Sequence, residues 1–205
     1  SRGNLSNLSF SVSGFNGRVP GLVINELVVK GSSSHPDWTE ILVTQAGNLA
    51  GITLMDGTPW DWENRYVFPA VDVEEGDWLV VHWKPEGIPE EVTELTAITA
   101  SGGRDATDTA RDFWVDPPGG LVGTNGILAL LDSPGGLLLD AVVYSNRSSE
   151  SDTDYRGFGS RKTLSRVDWV ADNGGWLGMS EVLVPEDAVW SGSTTATRSL
   201  SRGSG

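Results

Sequence analysis

Apolar residues recur along this chain in short runs that glycine, proline and small polar residues interrupt. Residues 8–13 alternate apolar side chains with serine, which is the period of two expected of a strand with one buried face. The next apolar runs each have the length of one strand: 22–29, 38–43, 51–56, 66–68 and 78–83. The pattern predicts an all-β fold with a turn about every ten residues.

Residues 126–131 and 137–144 flank the turn sequence DSPGG, which predicts a hairpin. Before it, residues 84–120 are rich in acids, glycine and proline, and we interpret them as a long surface excursion between strands. Only residues 89–99, where acids cluster at the start, favour a helical turn or two. The sequence thus predicts almost no helix.

The pattern divides the chain into three parts. Residues 1–21 form an N-terminal strand or arm, residues 22–144 form a β-sandwich, and residues 145–205 loosen into an irregular extension. We expect the extension to pack on the sandwich, or on a neighbouring molecule, through a few apolar anchors: Trp169, Trp176, Leu183 and Trp190.

Charge narrows the range of partners. The 205 residues carry a formal net charge of −14, and such a field repels phosphate backbones and anionic lipid. The charge is uneven, since residues 1–144 hold 7 bases and 20 acids whereas residues 145–205 hold 7 bases and 8 acids. We therefore expect no nucleic-acid partner, and we expect the extension to be attracted to the acidic body of the same or a neighbouring chain.

Several features of the composition bear on location. There is no cysteine, which excludes disulfides, thiolate nucleophiles and thiolate metal sites. No apolar run approaches the roughly 18 residues of a membrane span, and no charged-then-apolar leader precedes Ser1, so we expect any export signal to have been removed. With nine tryptophans and two methionines, the composition favours an extracellular or cell-surface location without membrane insertion.

Motifs in a fixed order are similar to those of bacterial lamin-tail domains. They are VINEL at 23–27, WTEIL at 38–42, NLAGITLMD at 48–56, EGDWLVV at 75–81, and the closing pair NGILALLD at 125–132 with LDAVVY at 139–144. Ile52 stands where that family usually has an aromatic residue. The resemblance covers residues 22–144 and implies an immunoglobulin-like β-sandwich of two packed sheets, in agreement with the strand pattern.

The resemblance implies a structural or accessory module of an exported bacterial protein. It carries no shared catalytic residues, so it assigns no site residue to this chain. The segment before Gly21 and the extension after Tyr144 lie outside the family pattern. We expect whatever is particular to this protein to reside in those two parts.

Residues 59–63 (PWDWE) place Trp60 and Trp62 two positions apart beside acids, so a strand would present both indoles on one face. Together with Trp83 they are candidates for a contact surface that stacks on sugar rings or inserts into a neighbouring subunit. The alternative is that one or more of these tryptophans cap the core.

Two groups of acids are candidate calcium sites, because calcium prefers carboxylate oxygens. Asp105, Asp108 and Asp112 recur at intervals of three or four residues, and Asp152 and Asp154 form a D-x-D pair. Neither group has the glycine and terminal glutamate of an EF-hand loop, so a solvated acidic loop is the alternative. No other cofactor is expected.

The sequence does not predict a catalytic constellation. His35 and His82 are the only imidazoles, and neither lies in a recognisable nucleophile motif. We expect His82, between Val81 and Trp83, to lie on the polar face of its strand. The chain is therefore not expected to be an enzyme.

The hypothesis that fits these features is a non-catalytic structural module that makes protein contacts. Copies of the same chain are the first candidate partner, and a cell-surface or extracellular filament is one outcome of such self-assembly. A strand can add to a neighbour's exposed sheet edge, and the residues of that assembly strand are Leu8, Phe10, Val12 and Phe15. The alternative is an accessory polysaccharide-binding module of a secreted enzyme, with the tryptophans as stacking residues.

Overall fold

The computed structural model describes residues 14–176 and 182–202. Two five-stranded sheets pack face to face, with a two-stranded sheet and one helix beside them. The strands are β1 (Gly21–Val28), β2 (Trp38–Gln45), β3 (Gly47–Asn48), β4 (Thr53–Thr58), β5 (Asp61–Val67), β6 (Asp72–Val73), β7 (Trp78–His82), β8 (Arg111–Trp114), β9 (Asn125–Leu131), β10 (Leu138–Ser145), β11 (Val189–Trp190) and β12 (Leu200–Ser201). The predicted all-β sandwich is confirmed.

The first sheet has the strand order β12-β1-β2-β7-β8. Its register places Ile24, Ile41 and Leu79 side by side on three adjacent strands, and all three side chains are buried in the core between the sheets. A bulge between Ile24 and Glu26 shifts the alternation, so that Leu27 also faces this core. Although polar residues interrupt the apolar run of β1, residues on both sides of the interruption contribute to the core between the sheets.

The second sheet has the strand order β11-β10-β9-β4-β5, and both of its faces are covered. On β9, Leu128 and Leu130 face the first sheet, whereas Ile127 and Ala129 face a second apolar core. Alternation along a strand sends successive side chains to opposite faces. The continuous apolar run of β9 is therefore explained by burial on both sides.

Helix α1 (Arg161–Asp172) covers the outer face of the second sheet. Its N-cap is Ser160, whose hydroxyl accepts a hydrogen bond from the Thr163 N–H at 3.1 Å. Beyond its end, Gly174 adopts a positive φ of 78°, a conformation that favours glycine. The extension, which was predicted to be irregular, therefore contains a helix. No helix in residues 14–176 and 182–202 combines the length and apolar character needed to cross a membrane.

The helical turns expected within residues 89–99 are not formed, so that prediction is wrong. The acids there organise the loop instead. The Glu91 carboxylate accepts the backbone N–H groups of Glu86 and Gly87, and the Glu94 carboxylate accepts those of Ala100 and Ser101. A carboxylate that satisfies loop N–H groups stabilises a non-helical conformation.

Candidate functional site

Trp60 and Trp62 are both exposed, as the contact-surface prediction requires. Trp60 lies at the turn before β5 with 72% of its surface exposed, and its ring meets that of Trp169 at 85° with centroids 6.1 Å apart. Trp62 is 38% exposed, and the Arg65 guanidinium lies 4.5 Å from the centroid of its ring. The two indoles therefore have different neighbours, and Trp60 is the freer of the two.

Trp83 does not belong to this surface, so the prediction that grouped it with the other two is wrong. It is fully buried between the sheets, and its indole N–H donates to the Thr39 hydroxyl at 2.9 Å. A buried indole needs such a partner for its single donor. Trp83 is thus a core residue.

A groove of about 690 Å³ is lined by Trp60 and by helix α1, which meet at Trp169. Trp60 and Thr58 line one side, and the side chains of Ser165, Arg166 and Asp172 line the helical side. The groove therefore combines an exposed indole with hydroxyl, carboxylate and guanidinium groups, which is the mixture of apolar and polar lining common in ligand sites.

Arg166, which lines this groove, links α1 to β5. Its Nε donates to Asp61 Oδ2 at 3.0 Å and its Nη1 lies 2.6 Å from Glu63 Oε2, while Lys162 contacts both acids as well. The hydrogen bond from Arg166 holds the pKa of Asp61 below its usual value. Burial opposes the same change at Glu63, but the hydrogen bonds from Lys162 and Arg166 still lower its pKa.

One nitrogen of the Arg166 guanidinium, Nη2, makes no hydrogen bond within the described residues. Its side chain is 9% exposed, and its Nη2 is buried without a hydrogen-bond partner in that part of the chain. Burying an unpaired polar atom is unfavourable. Arg166 is one of the seven bases of the extension that were expected to be attracted to the acidic body, but its helix was not predicted, although the Ser160 cap, the apolar spacing of Leu164, Val167 and Val170 and the Asn-Gly stop were signals of it.

A second candidate surface is the outer edge of β10. The short strand β11 pairs only with Tyr144 and Ser145 of β10, so residues 138–143 carry no strand on that side within the described ranges. The Ser191 N–H donates to the Ser145 carbonyl at 2.8 Å, which shows that this carbonyl points outward. Alternation then places the backbone groups of Val143 and Ala141 on the same outer side.

A groove of about 520 Å³ runs along this open edge. Besides β10 itself, Ile24 of β1, Trp176 and Val189 line it. The indole N–H of Trp176 is buried there without a partner among the described residues. Asp140 links β10 to β1 and to the extension, because its carboxylate accepts the Ile24 N–H at 2.7 Å and pairs with Arg202 at 2.9 Å.

Exposed apolar side chains surround the edge of β10. Leu139 and Val189 are exposed and line the groove, and Trp190, the residue after Val189 in β11, is 52% exposed. Exposed apolar side chains next to a groove are a feature of interaction sites.

The acids predicted to bind calcium do not converge. Asp105 contacts His35 at 3.2 Å, Asp108 is exposed, and Asp152 accepts the backbone N–H of Asp154. In residues 14–176 and 182–202, no three carboxylate or imidazole groups gather as metal ligands would. Asp105 and Asp152 instead take part in an ion pair and a loop hydrogen bond, respectively.

His82 and Asp112 form a buried pair, so the expected position of His82 on a polar face is wrong. The His82 Nε2 lies 2.7 Å from Asp112 Oδ1, and the imidazole stacks on the Trp114 ring at 4.0 Å. Asp112 also accepts the Thr107 N–H, and its own N–H donates to Glu94. The pair anchors the 84–120 excursion, which contains the unpredicted strand β8, to the first sheet.

Part of the proposed assembly strand falls outside the structure. Leu8, Phe10 and Val12 lie outside the described residues. Phe15 is described, and 96% of its surface is exposed.

Comparison with known proteins places the chain in a family. A protein of Treponema pallidum (strain Nichols) with the name "Uncharacterized protein" is 30% identical over 172 residues, which is 82% of this chain and 43% of the relative. This chain therefore spans less than half of the relative's length. A family profile with the description "protein second domain" matches residues 20–205, which include both the sandwich and the extension. The chain belongs to that "protein second domain" family.

Proposed function

We propose that this chain is a non-catalytic interaction module of an exported protein and that it binds a protein partner along the outer edge of β10. The observation that carries the proposal is the open edge: β11 covers only Tyr144 and Ser145, and no strand of the described ranges pairs with residues 138–143 on that side. An open edge presents unpaired N–H and C=O groups, which an added strand satisfies.

The side chains around the edge support the same proposal. Natural proteins commonly protect a free edge with lysine, proline or a covering loop. Here Leu139, Val189 and Trp190 leave apolar surface exposed beside the edge, and the groove next to them can receive the side chains of an added strand.

The arrangement of the two histidines supports a module without catalysis. His35 bonds through its ring to Asp105, and the imidazole of His82 is closed off by Asp112 and Trp114. Neither ring is hydrogen-bonded to a serine or threonine hydroxyl within the described residues, so neither is placed to activate a hydroxyl nucleophile.

A second copy of the chain is the partner we propose first. A strand edge is self-complementary, because two antiparallel copies of β10 exchange the same backbone hydrogen bonds. Such a contact closes a dimer, and a filament needs a further surface, for which Leu8, Phe10, Val12 and Phe15 are the candidates. The resemblance of residues 22–144 to lamin-tail domains supports a structural module in the same way.

The experiment is to measure the molar mass of the protein by sedimentation equilibrium over a wide concentration range. The wild type is expected to dimerise, and Leu139→Lys is expected to weaken dimerisation at least about tenfold, because a charge on a strand edge opposes pairing. Val67→Lys places the same charge on β5, the opposite edge of the same sheet, and is expected to dimerise like the wild type.

The outcome of the control decides which edge is used. If Val67→Lys weakens dimerisation and Leu139→Lys does not, the contact lies on β5 and the proposal for β10 is wrong. A wild-type monomer at every concentration would contradict self-association.

A further inference from the structure

The groove beside Trp60 is far from the edge of β10 in the strand order and has a different chemistry. It lies next to β5, at the opposite edge of the second sheet from β11. An interaction module can use two surfaces independently, and this groove is a second surface, separate from the edge of β10.

Trp60 is held in place although most of its indole faces solvent. The edge contact with Trp169 supports the ring on one side, and Trp169 is itself buried on α1. A large aromatic side chain that is both fixed and exposed offers a flat apolar face at a low cost in conformational entropy. Ring-shaped ligands with apolar C–H faces can stack on such a surface.

The charge of the groove argues for a neutral ligand. Its lining contains three acids and three bases: Asp61, Asp168, Asp172, Arg161, Lys162 and Arg166. The opposite charges balance, so the groove has no net sign that would select a phosphate, a polyanion or a cation. The net charge of −14 on the whole chain further disfavours an anionic polymer.

The polar groups of the groove suit a ligand with many hydroxyls. A sugar hydroxyl both donates and accepts hydrogen bonds, so it can serve carboxylates and a guanidinium together. The hydroxyl of Ser165 and the carboxylate of Asp172, both on α1, line the groove, and they can make such hydrogen bonds with sugar hydroxyls.

We propose that the groove between Trp60 and α1 is a binding site for a neutral polysaccharide, in which one sugar ring stacks on Trp60 and its hydroxyls bond to the charged side chains of α1. This site is independent of the protein-binding edge on β10. The module would then hold a glycan with one surface and a protein partner with another.

The test is affinity electrophoresis of the chain in gels that contain galactomannan, xyloglucan, mixed-linkage β-glucan or dextran, with polygalacturonate and heparin as charged polymers. At least one neutral polymer is expected to retard the wild type, and neither charged polymer is. Calorimetric titration with the hexasaccharide of the retarding polymer then gives the affinity of each variant.

Trp60→Ala is expected to lower that affinity at least about tenfold, the effect of losing one aromatic stacking contact. The matched control is Trp190→Ala, which removes an exposed indole outside the groove and should bind the hexasaccharide like the wild type. Thermal unfolding of both variants establishes that each is folded.

The proposal is overturned if no neutral polymer retards the wild type, if only the charged polymers do, or if Trp60→Ala and Trp190→Ala bind equally well. The result is separable from the proposed protein contact. Leu139→Lys should bind the glycan normally, and Trp60→Ala should dimerise normally.

Discussion

Tyr66 is a residue at which burial and ionisation oppose each other. Its partly buried ring on β5 packs edge-on against Phe68, with centroids 5.0 Å apart. Burial raises the pKa of the phenol to about 12, and a hydrogen bond with Thr93 only partly offsets that rise. Because the folded pKa lies above the usual value of about 10, the neutral phenol contributes stability that is complete below about pH 10 and is lost as the pH rises toward 12.

Replacing Tyr66 by phenylalanine should make the chain less sensitive to alkali. Between about pH 8 and pH 11, the wild type is expected to lose on the order of 1 kcal/mol more unfolding free energy than Tyr66→Phe. Urea unfolding at the two pH values measures the difference. Burial also raises the pKa of Tyr144, so the variant keeps part of the alkaline loss. An equal loss in both proteins would show that the Tyr66 phenol does not ionise differently in the folded state.

Single tryptophans and acids were the features least determined by local sequence. Trp60 and Trp83 each stand next to a charged residue in the sequence, yet Trp83 is fully buried and its indole N–H donates to the Thr39 hydroxyl, 44 positions earlier. Asp112 is likewise buried because it meets His82, 30 positions away. Buried polar groups are tolerated when they are hydrogen-bonded, and a partner that is distant along the chain leaves no local pattern to recognise.

The docking of α1 on β5 depends on a charged contact as well as on apolar packing. Arg166 is nearly buried, whereas the carboxylates of Asp61 and Glu63 that it contacts are about 40% exposed. The pKa values of both acids are lowered in the folded state. Their ionised forms therefore contribute stability above the unfolded pKa of about 4, and that contribution is lost as the pH falls through the folded values.

Arg166→Met should flatten the acid side of the stability profile. At about pH 7 the variant is expected to be less stable by about 1 kcal/mol, since solvent screens part of the interaction. Between about pH 5 and pH 3, the wild type should lose this advantage as Asp61 and Glu63 become protonated. Urea unfolding across that range measures the difference in slope.

The control for this contact is Arg156→Met, which removes a cation that pairs with Asp168 within the extension. That pair is more exposed and does not join α1 to the sandwich, so the variant should follow the wild-type profile within a few tenths of a kcal/mol. If Arg166→Met keeps the full acid dependence of the wild type, the contact with β5 does not stabilise the fold.

Strands marked by a run of apolar residues were predicted close to their positions, whereas elements rich in charged residues were missed. The strands from β1 to β10 that carry apolar runs lie close to their predicted positions, because burial fixes which face each residue takes. Strand β8 was missed since the polar pair Arg111 and Asp112 begins it, and its Asp112 becomes buried only through His82. Helix α1 was missed although its capping signals were present, because charged residues are as numerous as apolar ones in its sequence.

At the scale of the whole molecule, the described residues form two apolar cores that share the second sheet. The first lies between the two sheets, and the second lies between that sheet and the extension. The extension also supplies β12 at the edge of the first sheet and β11 at the edge of the second. The family profile spans residues 20–205, which agrees with a sandwich whose outer parts come from the extension.

A chain that ends at Ser145 is therefore not expected to fold stably. It would expose the outer face of the second sheet and lose the buried side chains of Phe158, Val167, Trp169 and Val170. Burial of such side chains contributes about 1.5–3 kcal/mol each, so the total approaches the 5–15 kcal/mol that typically stabilises a domain. For the chain that ends at Ser145 we expect strong binding of an apolar dye and no cooperative thermal unfolding.

The matched control removes only residues 199–205. It deletes β12 and the contact of Leu200, so that chain should stay folded with a lower melting temperature. If the chain that ends at Ser145 unfolds cooperatively, at a melting temperature near that of the full-length chain, the extension is dispensable for the fold.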